Sequence, residues 1–345
     1  MFKNYLKIAW RNLWKNKGYT IINVGGLALG MAVTLIIGLW ILDELSYDNY
    51  FKNKDKIAQV FQSQTFNGET GTGPAIPRPL EKGLRDGYSD NFKHLVMCSW
   101  TNDHYLKYGD KSLSRPGNYM QQVGPELFGL EIIKGEKDGL REINSIMLSE
   151  STANALFGSE DPIGKTVTVS NEHKLNVSSV YKDIPVNNSF NDTEFIIPWE
   201  KYLANNEWIR NAEDQWGNNS FQMFVQIADN TSFEKITNSI KDVKKTLNPD
   251  SVEFNPQLFL FPMKDWYLRS SFENGKQNGG RIKYVWLFGI IGAFVLLLAC
   301  INFMNLSTAR SEKRGKEVGI RKSIGSQRGQ LIYQFLSESF LVVLF

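Results

Sequence analysis

Residues 18–42 read GYTIINVGGLALGMAVTLIIGLWIL, twenty-five positions without a charged side chain. As a helix this run extends about 37 Å, enough to cross a hydrocarbon layer about 30 Å thick. Residues 284–309, YVWLFGIIGAFVLLLACINFMNLSTA, form a second uncharged run of similar length. A third starts at Leu331 and is still apolar at Phe345. Each charge at a bilayer centre costs roughly 2.5–3.5 kcal/mol. Two long charge-free runs therefore predict two membrane-spanning helices, 18–42 and 284–309, with 331–345 as the beginning of a third.

The charges are sorted around these runs. The formal net charge of +3 over 345 residues hides two basic ends and an acidic middle. No acid precedes Asp43, whereas Lys3, Lys7, Arg11, Lys15 and Lys17 lie before or at the edge of the first run. From residue 284 onward seven basic residues face three acidic ones, so the two ends together carry +9. The intervening 43–283 holds 27 basic and 33 acidic residues, or −6. Lys and Arg accumulate on the cytoplasmic side of membrane segments. The expected topology puts 1–17 and 310–330 in the cytoplasm and 43–283 outside. A cleaved signal peptide fits poorly, because the apolar run is long and ends at Leu42-Asp43-Glu44 with no small-x-small site.

Residues 1–17 read as an amphipathic helix on the membrane surface. Phe2, Tyr5, Leu6, Ala9, Trp10 and Leu13 fall on one arc at 100° per residue, and Lys3, Lys7, Arg11 and Lys15 on another. Such a face lies among lipid headgroups. Within the first span Gly26, Gly30, Thr34 and Gly38 recur every four residues, a small-residue stripe that permits close helix packing. Asn302 and Asn305 near the end of the second span require polar partners across a helix interface.

The 241 residues of 43–283 are enough for an independent core and read as α/β. Strands are expected at 57–66, 94–100, 166–169, 175–181, 220–228 and 257–261, with a hairpin over 105–113 around Gly109-Asp110. Helices are expected at 77–87, 149–157 (ending at Gly158) and about 232–247. Cys98 and Cys300 fall in different compartments and predict no disulfide. His94, His104 and His173 have no metal-ligand spacing. The run Gly158-Ser-Glu-Asp-Pro-Ile-Gly164-Lys165-Thr166 has five residues where a phosphate-binding loop needs four, and Pro162 removes an N–H, so it reads as a turn over 161–164. No catalytic constellation is visible and no nucleic-acid partner is expected.

The cytoplasmic stretch 310–330, ARSEKRGKEVGIRKSIGSQRGQ from Ala309 on, is too short for a domain. Glu317 and Arg321 stand four apart in the order that favours a helix. The stretch fits either a solvated basic loop or a helix that docks on another protein.

Ile301-Asn-Phe-Met-Asn-Leu-Ser-Thr-Ala-Arg310 and Lys316-Glu-Val-Gly-Ile-Arg-Lys-Ser-Ile-Gly325 closely resemble the FtsX-like permeases of ABC transporters, in their MacB-type branch. Arg11-Asn-Leu-Trp-Lys-Asn-Lys, Asn23-Val-Gly-Gly-Leu-Ala-Leu-Gly30, Leu148-Ser-Glu-Ser-Thr-Ala-Asn-Ala-Leu-Phe-Gly158, Asp161-Pro-Ile-Gly-Lys165 and Val180-Tyr-Lys-Asp-Ile-Pro185 resemble the same branch. The resemblance implies an inner-membrane permease with a large periplasmic core of two α/β subdomains. It implies a cytoplasmic coupling helix, Glu317, Val318, Gly319, Ile320, Arg321, Lys322 and Gly325, that contacts a separate ABC ATPase. ATP and magnesium would reside in that subunit, with no cofactor on this chain. A second permease copy, a periplasmic adaptor and an outer-membrane channel complete the implied partners. Relative to the family pattern the sequence stops within the third span and reads as an N-terminal fragment. Regulation of cell-wall hydrolases is the alternative role within the family. A transmembrane sensor is disfavoured, because the chain returns to the membrane after some twenty residues.

Overall fold

The computed structural model describes residues 17–313, 315–325, 327–329, 331–333, 336 and 340. The expected surface helix, apart from Lys17, and most of the third span lie outside these residues. The chain divides into two units: a helical one from the two ends and a compact α/β one over Leu45–Ile282.

In the helical unit, α1 spans Lys17–Leu45. Two further helices, Ile282–Lys313 and Gly315–Ser323, follow the α/β unit. The long helices outrun the uncharged stretches because a helix continues through charged residues once these reach water. Residues 310–313 therefore belong to the second long helix rather than to a separate loop. Two windows, Ile21–Leu45 and Ile282–Leu306, are long and apolar enough to cross a membrane. Their large side chains are mostly uncovered: Ile21 is 71% exposed and Trp286 70%. A core helix of a soluble protein would bury them, and lipid is the solvent that suits this surface.

The α/β unit contains twelve strands of one hydrogen-bonded system. They are β1 Ile57–Phe66, β2 Glu69–Gly73, β3 Phe92–Cys98, β4 Asn102–Tyr108, β5 Lys111–Met120, β6 Ile132–Gly135, β7 Ser145–Ser149, β8 Thr166–Val169, β9 His173–Tyr181, β10 Phe195–Pro198, β11 Gln222–Ile227 and β12 Gln257–Pro262. A two-stranded ribbon, β13 Phe272–Glu273 with β14 Lys276–Gln277, stands apart. The helices are α2 Pro79–Tyr88, α3 Gly124–Phe128, α4 Glu150–Phe157, α5 Trp199–Asn205, α6 Glu207–Arg210, α7 Phe233–Ile240, α8 Val243–Leu247 and α9 Met263–Trp266. The two later helices of the other unit are then α10 Ile282–Lys313 and α11 Gly315–Ser323.

Two lobes emerge from the pairing. β3, β11, β1 and β12 lie in that order, each antiparallel to its neighbour. With α2 joining β1 to β3 and α7–α8 joining β11 to β12, this is a split βαβ sheet of ferredoxin-like order. Residues 99–221 are inserted between its second and third strands. The insertion makes the second lobe, where β10, β7, β9, β8, β4 and β5 pair in sequence and β10 pairs again with β5, closing a ring of six strands. Gly117 allows this closure: a Cβ there would stand 2.5 Å from the Phe195 ring that passes over it. β3 meets β5 at a single register pair, Cys98 with Met120.

Alternate residues feed two cores. Leu95 and Met97 of β3, Met223 and Val225 of β11, and Ile146 and Leu148 of β7 enter one. Val96, Cys98, Phe224 and Met147 enter the other. Burial on both faces makes short strands read as apolar runs rather than alternations, and β7 and β10 fall outside the sequence expectation for that reason. The 105–113 hairpin is longer than expected, Asn102 to Met120, while α4 follows expectation, with Ser149 Oγ capping the Thr152 N–H at 3.3 Å. The helix expected over 232–247 is broken: the Leu258 N–H donates to the Lys241 carbonyl at 2.9 Å, taking the acceptor that a continuing helix would use. The turn expected over 161–164 closes one residue later, with the Lys165 N–H on the Pro162 carbonyl and Gly164 at φ +75°.

Lys244 of α8 is 1% exposed. Its ammonium donates to Gln62 Oε1 at 2.8 Å and Asn219 Oδ1 at 3.1 Å, with no carboxylate partner. Burial lowers its pKa to about 8, against 10.5 for a free lysine. Between those values the folded chain binds fewer protons than the unfolded one, so this group adds stability as pH rises. Denaturant unfolding of the intact protein in detergent, followed by tryptophan fluorescence, should therefore show wild type gaining roughly 3 kcal/mol relative to Lys244→Met across this interval. A wild-type-to-variant difference that stays constant with pH would contradict the assignment.

Candidate functional site

The residues that the sequence marks for function converge on the helical unit. α1 and α10 pack along a seam of small residues. A Cβ added at Gly30 would lie 2.5 Å from Ala299 Cβ, and one at Gly26 would lie 3.1 Å from Asn302 Nδ2. Thr34 Oγ1 stands 2.8 Å from the Gly30 carbonyl and 3.3 Å from the Gly292 carbonyl, so its single proton is shared between its own helix and the neighbour. Beyond Thr34 the seam passes to Ile37 over Gly292 and Ile41 near Gly289. The Trp40 and Phe288 rings meet edge to face at 5.0 Å.

Gly38 has open space beyond its Cα and lies off this seam. A step of four residues turns 400°, so a strict four-residue stripe drifts about 40° per step, roughly 120° between Gly26 and Gly38. A seam must mix steps of three and four, which moves it to Ile37 and Ile41. Gly289, Gly292 and Ala299 on α10 were not anticipated as its other half. Their spacing of three and seven was the available signal. Asn302 and Asn305 are both exposed, and of the two Asn302 is the one that stands beside Gly26 in the seam.

The contacts pair early residues of α1 with late residues of α10, so the two helices are antiparallel. This brings Lys17 and the basic block after Thr308 to the same end of the pair. There α11 spans Gly315–Ser323, so the backbones of Glu317, Val318, Gly319, Ile320, Arg321 and Lys322 are helical. The side chains of Glu317 and Arg321 lie outside the described residues. Val318 is half-buried, Lys322 is exposed, and Ile320 is 61% and Ile324 80% exposed. Ile320 and Ile324 stand four apart, one helical turn, with the Ile324 N–H on the Ile320 carbonyl at 3.1 Å. Gly325 ends the helix at φ +95°, with its N–H on the Lys322 carbonyl at 3.1 Å.

The titratable groups elsewhere do not assemble into a reaction centre. His94 on β3 stands 3.6 Å from Glu126, and burial lowers its pKa. His104 on β4 bonds Ser170 Oγ at 3.0 Å, and burial lowers its pKa too. His173 lies beside Glu172. No cluster of metal-ligating side chains occurs among the described residues. Lys165, in the phosphate-loop look-alike, is engaged by Glu160 and by Tyr108 Oη at 3.1 Å. Cys98 and Cys300 are both free thiols.

Two antiparallel apolar helices joined through a two-lobed α/β insertion, and continuing into an exposed basic helix, define a membrane permease architecture. Residues 20–243 match the MacB-like periplasmic core domain and residues 289–345 match the FtsX-like permease C-terminal region. The chain belongs to the MacB-type, FtsX-like family of ABC-transporter permeases. It is 24% identical over 227 residues to the macrolide export ATP-binding/permease protein MacB of Neisseria meningitidis serogroup A, covering 64% of this chain and 32% of that protein. It is 26% identical over 201 residues to the ABC transporter permease YknZ of Bacillus subtilis, covering 57% and 45%. The alignments thus span from about a third to less than half of these relatives. A solved domain of a permease protein from Porphyromonas gingivalis superposes with a TM-score of 0.51 at 18% identity, over 61% of this chain and 91% of that domain, which bears on fold alone.

The seam makes opposite demands on two glycines. Gly30→Leu forces a side chain into Ala299 and should destabilise the helix pair by roughly 1–3 kcal/mol. It should also lower the thermal midpoint of the detergent-solubilised protein. Gly38→Leu enters open space and should leave the midpoint unchanged. Equal losses in the two variants would refute the seam.

Proposed function

We propose that this chain is the permease subunit of an ABC transporter in which a separate ATPase docks on α11 and drives the membrane helices. The observation that carries this reading is the arrangement of the helical unit. α1 and α10 are locked antiparallel through Gly30, Ala299, Thr34 and Gly292, and α10 leads into a basic helix with Ile320 and Ile324 exposed. Two exposed isoleucines one turn apart, set among Lys322 and Arg328, offer an apolar knob with a cationic rim. A helix so attached transmits a push at its surface into the pair as a body, because the close backbone approach leaves little room for sliding.

Under this reading the basic ends face the cytoplasm by the positive-inside bias, and 45–282 faces the periplasm. ATP and magnesium are handled by the partner. ATP-driven closure of two ATPase subunits moves two permease copies, and the α/β units change posture to export or extract an envelope substrate. A periplasmic adaptor and an outer-membrane channel fit the same assembly, and lipid surrounds the uncovered faces of α1 and α10. The names of the MacB relatives favour export over hydrolase regulation.

Ile320→Asp in the full-length protein places a charge in the proposed contact without touching the α1–α10 seam. Magnesium-dependent ATPase activity co-purifying with the solubilised permease should fall at least tenfold, while permease yield and thermal midpoint hold. A double variant, Ile320→Asp with Arg321→Glu, that still retains the ATPase would defeat the docking role.

A further inference from the structure

Between the two lobes of the α/β unit lies a cavity of about 360 Å³, within the range of small-molecule sites. It opens where β3 and β5 part after their single pair. Its walls are aromatic, with Trp100, Trp266, Phe190 and Phe224. The Trp100 indole N–H donates to the Ser220 carbonyl at 2.9 Å, and that of Trp266 to the Phe261 carbonyl at 2.8 Å. Both indole donors are used, so the rings offer their faces.

The polar groups of the cavity include an available amide oxygen and a carboxylate. Gln59 Nε2 donates to Gln222 Oε1 at 2.8 Å, and Gln222 Nε2 donates onward to the Ser99 carbonyl at 3.2 Å, which leaves Gln59 Oε1 available. The Ser189 hydroxyl is spent on the Asp48 carboxylate at 2.8 Å. Asn118 is 2% exposed and its Oδ1 meets no partner. That oxygen is sealed from solvent, so the acceptor the cleft itself presents is Gln59 Oε1. The Asp192 carboxyl lines the same cavity from an exposed position. No lysine, arginine or histidine lines it.

A cavity with one carboxylate, an available amide oxygen, no basic side chain and aromatic faces selects for a cation with an apolar body. We propose that this cleft binds a small organic ammonium compound with an aromatic or apolar body. The ammonium answers the Gln59 Oε1 oxygen and the Asp192 charge, and the body lies against Trp100 and Trp266. Anionic ligands are excluded by the same carboxylate. The inference concerns binding to the α/β unit and does not depend on the transport reading.

The test uses the intact chain in detergent micelles and fluorine NMR titration of para-fluorophenethylamine. Empty micelles serve as the blank, and para-fluorophenylacetate supplies the same ring with the opposite charge. The amine should bind saturably and at least tenfold more tightly than the acetate. Asp192→Asn changes an exposed residue and keeps the fold, and should weaken the amine about tenfold. Gln59→Leu removes the available amide acceptor at similar volume and should weaken it about fivefold. Equal affinity for amine and acetate overturns the proposal, as does amine binding no stronger than to empty micelles. An amine affinity unchanged in Asp192→Asn overturns it even where Gln59→Leu does not fold.

Discussion

The close approach of α1 to α10 at Gly30 and Ala299 is the constraint on which the arrangement of the helical unit depends. A side chain at residue 30 would meet Ala299 at 2.5 Å. In lipid no hydrophobic force draws two apolar helices together, so close packing and shared hydrogen bonds must do it. The Thr34 hydroxyl, placed between the Gly30 and Gly292 carbonyls, supplies the second of these. Because the seam is antiparallel, it also brings the basic start of α1 and the basic end of α10 together. The charge sorting seen in the sequence and the packing seen in the structure are thus two consequences of one geometry.

The α/β unit solves a different problem in water. Its first sheet is interrupted by 123 residues between β3 and β11, numbered 99–221, and that insertion closes on itself through β5 and β10. β5 serves both lobes: it forms the ring with β4 and β10 and touches β3 at Met120. The two lobes meet at one strand register pair, which leaves a cleft between them, while each of the two cores draws side chains from both lobes. Buried polar groups gather near this junction: Gln59 with Gln222, Gln62 with Asn219 and Lys244, and the orphan oxygen of Asn118. Polar side chains at such density are costly in a core and mark where the two lobes are fastened.

Much of this was legible in the sequence because the relevant signals are local. Absence of charge over 18–42 and 284–309 is a property of neighbouring residues, and so is the Ser149 cap of α4. Gly26, Gly30 and Thr34 could be read as a stripe because they follow one helix. Gly38 could not be placed, since its position depends on the angular drift of the seam and on where Ile37 and Ile41 meet α10. The break between α7 and α8 was equally hidden. It is made by Leu258, seventeen residues beyond the Lys241 carbonyl that it takes. β7 and β10 are too short and too thoroughly buried to show a two-residue rhythm.

The sequence alone determined the two long apolar helices, the sorted charge, the α/β class of the intervening unit and the family. Each of these follows from composition, periodicity or motif over a short window. Tertiary structure decided which small residues touch, that the six strands of the inserted lobe close into a ring, that Lys244 is buried without an acid, and that an acceptor-lined cleft lies between the lobes. These depend on residues such as Gly30 and Ala299, or Gln59 and Gln222, that are far apart in the chain. Only folding sets their distance, and no local pattern records it.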